Sequence, residues 1–98
     1  VNHYGGLIPA GPGKSHQSIR DISLLASLPN FVIVQPANAE ESRAATRWMV
    51  LQSDANCVLR LVIGPSPRRI ELPEGYSFAP GRGCVLHEGD DAMLFAYG

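Results

Sequence analysis

Residues 31–63 constrain the fold more than any other stretch of this chain. An apolar run, Phe31-Val32-Ile33-Val34, breaks at Gln35-Pro36-Ala37-Asn38, gives way to an amphipathic segment, and is answered by a second apolar run from Cys57. A continuous β-branched run without polar alternation suits a strand covered on both faces, as in parallel sheets. Asn38 is a good helix N-cap, and Glu41 stands three residues later, where a capping box wants an acid. Glu40 and Glu41 also face the positive end of the helix dipole. The helix is expected to run to about residue 52, with Ala44, Ala45, Trp48 and Leu51 on one side, and Ser53-Asp54-Ala55-Asn56 breaks it. Strands over 31–35 and 57–63 joined by such a helix normally make a right-handed parallel crossover. The fold class that follows is α/β, with a parallel strand–helix–strand core.

The flanks are read from the same signals. Residues 1–15 are rich in Gly and Pro and predict a loop with a short strand at its start. Ile19, Ile22, Leu24, Leu25 and Leu28 partly follow helical spacing over residues 17–28, and Pro29-Asn30 stops that helix. Gly64-Pro65-Ser66-Pro67-Arg68-Arg69 and Leu72-Pro73-Glu74-Gly75 form a proline-rich linker. Beyond it, Cys84-Val85-Leu86 and residues 92–97 flank Glu88-Gly89-Asp90-Asp91, which predicts a β-hairpin. The chain opens on Val1 without an initiator methionine and closes at the exit of an apolar run. Both features point to a piece of a longer polypeptide.

Composition narrows the function classes. With 98 residues, 45% of them hydrophobic and 17% charged, the chain can build one small core and is not globally disordered. Its net charge of −1 offers no concentrated positive field for nucleic acid or a membrane surface. No apolar run approaches bilayer length and no signal peptide is visible, so the expected location is cytoplasmic. Cys57 and Cys84 lie in apolar runs without metal-ligand spacing, and read as reduced core thiols with no metal role.

Gly13-Lys14-Ser15 imitates a phosphate-binding loop without satisfying one. The motif wants glycine five residues before Gly13, where Ile8 stands, and Pro12 lacks an amide hydrogen. His16 is the stronger signal. A histidine delivered by a Gly-rich turn to a helix start sits where sheet connections gather around ligands. An imidazole there can hydrogen-bond a substrate hydroxyl or shuttle a proton, although a solvent-facing or capping histidine occupies the same position equally well. His3 in the opening loop is able to approach the same place. Trp48 reads as core or subunit interface, and His87, Asp90 and Asp91 as turn and hairpin residues.

Taken together, three blocks resemble the transketolase family: Gly13-Lys14-Ser15-His16-Gln17, then Leu25-Ala26-Ser27-Leu28-Pro29-Asn30, then Val34-Gln35-Pro36-Ala37-Asn38-Ala39-Glu40-Glu41. The family typically reads D-G-P-T-H-Q, then L-A-S-L-R-x-I-P-N, then R-P-A-D-x-x-E, at near-identical spacing. The resemblance covers residues 1–64 as the later half of a pyrimidine-binding domain, with 65–78 as a linker and 79–98 as the opening of the family's C-terminal domain.

The resemblance implies a thiamine diphosphate enzyme that moves or cleaves two-carbon ketol units, or a relative acting on 2-oxoacids. It also implies a homodimeric assembly with the cofactor clamped between chains, and magnesium supplied only by a domain outside these residues. His16 matches the family histidine that contacts the substrate beside the cofactor's reactive carbon and is the expected catalytic residue. His3, His16 and Gln17 are the expected substrate contacts. Pro12 replaces a family acid, and no arginine stands at 61–64, where the family's S-R-Q falls; Arg60, Arg68 and Arg69 are left to take that place. The glutamate that activates the cofactor belongs before Val1, so these residues alone are expected to be inactive. A non-catalytic structural or subunit-interface module is the alternative, and a small nucleotide-binding domain the more remote one.

Overall fold

A computed structural model describes residues 1–7, 13–62 and 70–98. In chain order the elements are a 3-10 turn (Gly13–His16), α1 (Asp21–Leu25), β1 (Phe31–Val34), α2 (Ala39–Leu51) and β2 (Asn56–Leu59). β1 and β2 pair in parallel, Phe31 opposite Asn56 and Val34 opposite Leu59. The strand–helix–strand core expected from the sequence is therefore present, and the fold is α/β.

The opening residues extend this sheet. Asn2 N–H donates to the Leu59 carbonyl at 2.8 Å, Leu61 N–H to the Asn2 carbonyl at 2.7 Å, and Gly5 N–H to the Leu61 carbonyl at 2.9 Å. Asn2 thus bridges Arg60 in parallel on the side of β2 away from β1. The short strand expected at the start of the chain is this edge. Residues 60–61 carry β2's ladder to its far end, while Ile63 lies outside the described residues.

α2 begins where its cap predicts. The Asn38 side chain accepts from Glu41 N–H at 2.8 Å. Glu41 reaches back one residue further than a standard capping box, accepting from Ala37 N–H at 2.7 Å. Ala45 is fully buried and Trp48 half-buried, but Leu51, expected on the covered side, is 62% exposed at the helix's open end.

α1 is shorter than the expected 17–28. The backbone of residue 18 is committed elsewhere: Ser18 N–H donates to the Tyr4 carbonyl at 3.2 Å and its carbonyl accepts from Gly6 N–H at 2.8 Å. A residue spending both groups on a neighbouring strand cannot start a helical ladder, so the helix waits until Asp21. At the other end Asn30 takes a left-handed φ of 52°, a conformation asparagine tolerates, and turns the chain into β1.

Three further expectations are corrected. β1 is half-buried at every position rather than sealed on both faces, because among the described residues α1 lies against β1 and α2 against β2 with little else above or below. Cys84 is exposed and Cys57 half-buried, so neither thiol is in a core. The hairpin over 84–97 is not formed: Val85, Leu86, Met93, Leu94 and Phe95 are 60–94% exposed and unpaired. A two-stranded ribbon is marginal without a surface to cover it, and none is offered among the described residues.

The described part of the linker runs along α2. The Asn38 side-chain amide donates to the Ile70 carbonyl at 2.9 Å, the Tyr76 hydroxyl donates to Glu41 Oε1, and Phe78 meets Trp48 with ring centroids 6.2 Å apart. Residues 65–69 lie outside the described residues. Burial, reinforced by the Glu41 carboxylate, pushes the Tyr76 hydroxyl up to about 12. A raised folded-state value means that this contact stabilises fully below the tyrosine's unfolded value of about 10 and is lost as pH rises from there through about 12. In a tyrosinate absorbance titration, Tyr76→Phe should remove a component that ionises above pH 10, and Glu41→Gln should bring that component forward. If Tyr76→Phe removes no such component, the contact does not persist in solution.

Candidate functional site

The sheet's carboxyl edge collects polar side chains from every segment that ends there. Gln35 follows β1, Arg60 follows β2, the opening strand carries His3 and Tyr4, and the 3-10 turn ends at His16. In an α/β sheet this is the edge where side chains from separate connections can converge on one ligand.

Two groups form there. The outer one is aromatic: the His3 and Tyr4 rings lie tilted at 4.1 Å between centroids, and His16 meets Tyr4 edge-on at 4.9 Å and 80°. Tyr4 is half-buried, whereas His3 and His16 are exposed. The structure therefore brings together the two histidines singled out from sequence and adds a residue that sequence reading missed. Tyr4 gave no signal of its own, since a tyrosine in a Gly-rich opening loop has no spacing to mark it.

Gln17, the third expected contact, is engaged within the fold. Its side-chain amide donates to the Leu7 carbonyl at 3.1 Å, tying the turn to the strand that carries His3. It also lines a groove of about 610 Å³ with Val1, Asp21 and Leu25, into which neither His3 nor His16 enters.

The inner group is ionic. Arg60 Nε donates to Asp21 Oδ2 at 2.6 Å and Nη2 to Oδ1 at 3.4 Å, so the guanidinium grips both carboxylate oxygens. Nη1 donates to Gln35 Oε1, Nη2 to the Ser18 carbonyl at 3.5 Å, and Asn2 Nδ2 to Asp21 Oδ2 at 2.6 Å. Both partners of the pair are 8% exposed at the side chain. The hydrogen bond from Arg60 holds the Asp21 carboxyl below the usual carboxylate range, against the opposing pull of burial.

This corrects one expectation. Arg60 was among the arginines able to replace the family's substrate-side arginine, but its guanidinium is spent on Asp21, Gln35 and Ser18 and is closed to an anion. Arg68, Arg69 and Pro12 lie outside the described residues.

The donor set fits the rim of an organic ligand, where imidazole and phenol groups can meet hydroxyl and carbonyl oxygens. It does not fit the diphosphate end of a cofactor. Among the described residues no three His, Cys, Asp or Glu stand together as metal ligands, and the Asp21 and Glu41 carboxylates are already hydrogen-bonded. Nor is any helix among them long and apolar enough to cross a membrane.

Comparison with known proteins agrees with this fold. Residues 5–62 match the family model described as transketolase, pyrimidine binding domain. Over 94 residues the chain is 37% identical to a 1-deoxy-D-xylulose-5-phosphate synthase of Synechococcus sp. (strain WH7803), and 36% identical to one of Prochlorococcus marinus (strain MIT 9211). Each match covers 93% of this chain but only 14% of the relative. A transketolase family protein of Sinorhizobium fredii is 30% identical over 91 residues, covering 93% of this chain and 26% of its own. The chain thus spans about one-seventh to one-quarter of the curated relatives it matches, and no solved structure matches it. Through its pyrimidine-binding domain, and with the paired strands and the histidine turn in place, this chain belongs to the transketolase family.

Proposed function

We propose that these residues form part of a thiamine diphosphate-dependent enzyme that transfers a two-carbon unit, with His16 as its substrate- and cofactor-proximal acid–base residue. The observation that supports this most is the meeting of His3, Tyr4 and His16 on the carboxyl edge of a parallel sheet. The names of the relatives direct the product class to a 1-deoxyketose phosphate. The chemistry that thiamine diphosphate supplies when bound is a nucleophilic carbon for substrate carbonyl groups.

The residues of this chain do the surrounding work. The exposed His16 imidazole donates a hydrogen bond to a substrate oxygen, or exchanges a proton with it. His3 provides a second donor on the same rim. Tyr4, between them, limits how far either ring can turn. Gln17 anchors the turn through one amide hydrogen on Leu7 and keeps its second amide hydrogen and its carbonyl oxygen for substrate.

The assembly belongs to the same proposal. Ala45 is the one fully buried hydrophobic residue among those described, while Ile19, Leu24, Val50 and Phe95 are 66–91% exposed. Such surfaces call for cover from the rest of a longer chain or a partner subunit. We assign residues 1–64 to a partial pyrimidine-binding domain, 65–78 to a linker and 79–98 to the start of a C-terminal domain, in a cytoplasmic homo-oligomer. That the relatives align across 93% of the chain, well past the family model's end at residue 62, supports one continuous polypeptide. Magnesium comes from another domain, and the 98 residues alone are inactive.

The test is His16→Ala in the full-length enzyme. Turnover should fall by about 10², the contribution of a positioned acid–base group. An unchanged rate rejects the role and favours the reading of this region as a non-catalytic structural module.

A further inference from the structure

The Arg60–Asp21 pair makes contacts beyond those an ion pair needs. The guanidinium touches the start of α1 through Asp21, the end of β1 through Gln35, and the Ser18 carbonyl two residues after His16. Asp21 in turn takes the Asn2 amide, next to His3. The Arg60 side chain also lies flat beneath Gly5: a Cβ built there would sit 2.8 Å from Cγ and 2.9 Å from Nε and Cζ. One buried side chain thus contacts, directly or through a single carboxylate, both segments that carry the aromatic rim.

Those segments are far apart in sequence, and their rings touch only if the segments are in register. The backbone supplies two stitches, Ser18 to Tyr4 and Gly6 to Ser18. Backbone stitches locate the segments but leave rotation about the strand axis less restrained. A planar guanidinium gripping both carboxylate oxygens adds orientation as well as energy. Catalytic groups need this support, since a displacement of about 1 Å can cost about 10² in rate.

We propose that Arg60 and Asp21 are positioning residues: a buried clamp that holds the His3–Tyr4 strand against the His16 turn and sets the imidazole geometry of the site. This rests on the proposed role of His16 and deepens it. The clamp touches no substrate; it acts through Ser18, Gly5 and Asn2 on the residues beside them.

The test uses the full-length protein labelled with carbon-13 at histidine Cε1, so that the His16 resonance reports its ring contact with Tyr4 whether or not the enzyme turns over. Arg60→Lys keeps the charge and loses the two-pronged grip. The double variant Asp21→Leu with Arg60→Met removes both charges together and serves where the single variant folds poorly. In both, the His16 signal should move towards its position in Tyr4→Leu. The rate constant kcat should fall about tenfold or more while KM stays within about twofold, as for a group acting on the transition state through geometry. Global destabilisation alone would lower active enzyme without moving the His16 signal of the folded fraction. If signal and kcat are both unchanged in both variants while His16→Ala is slow, the clamp is overturned and the site stands. If the signal moves but His16→Ala is as fast as the parent, the clamp stands and the function proposed for His16 falls.

Discussion

Arg60→Met is expected to lower folding stability by about 3–5 kcal/mol, because it leaves the Asp21 carboxylate buried with its strongest partner gone. The Asn2 amide remains, but a neutral donor cannot replace a guanidinium fork on a side chain only 8% exposed. The loss is large against the roughly 0.1 kcal/mol per residue that a small domain holds in reserve. Denaturant unfolding of the protein measures it directly. A cost under about 1 kcal/mol would show the pair to be effectively solvated, as surface pairs are.

The same substitution changes the response to acid. In the parent, Asp21 has a folded-state value below its unfolded one, so its contribution is present above about pH 4 and is lost only as pH falls through the lower, folded-state value. Without Arg60 the strongest lowering influence on the Asp21 carboxyl is gone and burial opposes only the weaker hydrogen bonds that remain, so destabilisation in acid should begin at higher pH. Removing Asp21 as well, in the Asp21→Leu, Arg60→Met double variant, should restore much of the stability, since a buried pair exchanged for apolar groups is often nearly neutral. Failure of that recovery would assign the cost to lost packing rather than to an orphaned charge.

Gly5→Val should be almost as damaging, at about 3 kcal/mol, the upper part of the range for forcing atoms into a packed site. The clash does not arise from backbone strain. It arises because Cγ, Nε and Cζ of Arg60 occupy the space a Cβ would take, at 2.8–2.9 Å. A loose arginine would swing away cheaply. This one is held by Asp21 and Gln35, so either the pair opens or the Gly5 strand lifts off Leu61. Gly5→Ala should cause a smaller loss of the same kind, and combining Gly5→Val with Arg60→Met should cost less than the sum of the two. Strict additivity in that cycle would show that the two sites do not touch.

Much of this was legible in the chain. The apolar run at 31–34, the Asn38 cap with its acid at Glu41, and the break at Ser53 marked β1, α2 and β2 to within a few residues, because caps and periodicity are local chemistry. The His16 turn was legible as a Gly-bearing turn ahead of a helix, and the structure sets its histidine against Tyr4. The hairpin was misjudged for a related reason: strand signals state what a segment can pair with, and only a covering surface decides whether it does.

Parallel pairing of the apolar runs, the cap that starts α2 and the family to which the chain belongs follow from the order of its residues alone. The tertiary structure alone decided that Arg60 is buried on Asp21, that Gly5 is there to admit it, and that Tyr4 stands between His3 and His16. Each of these joins residues 12 to 55 positions apart or turns on a side chain's direction, and neither distance across the fold nor orientation leaves a periodic trace in the sequence.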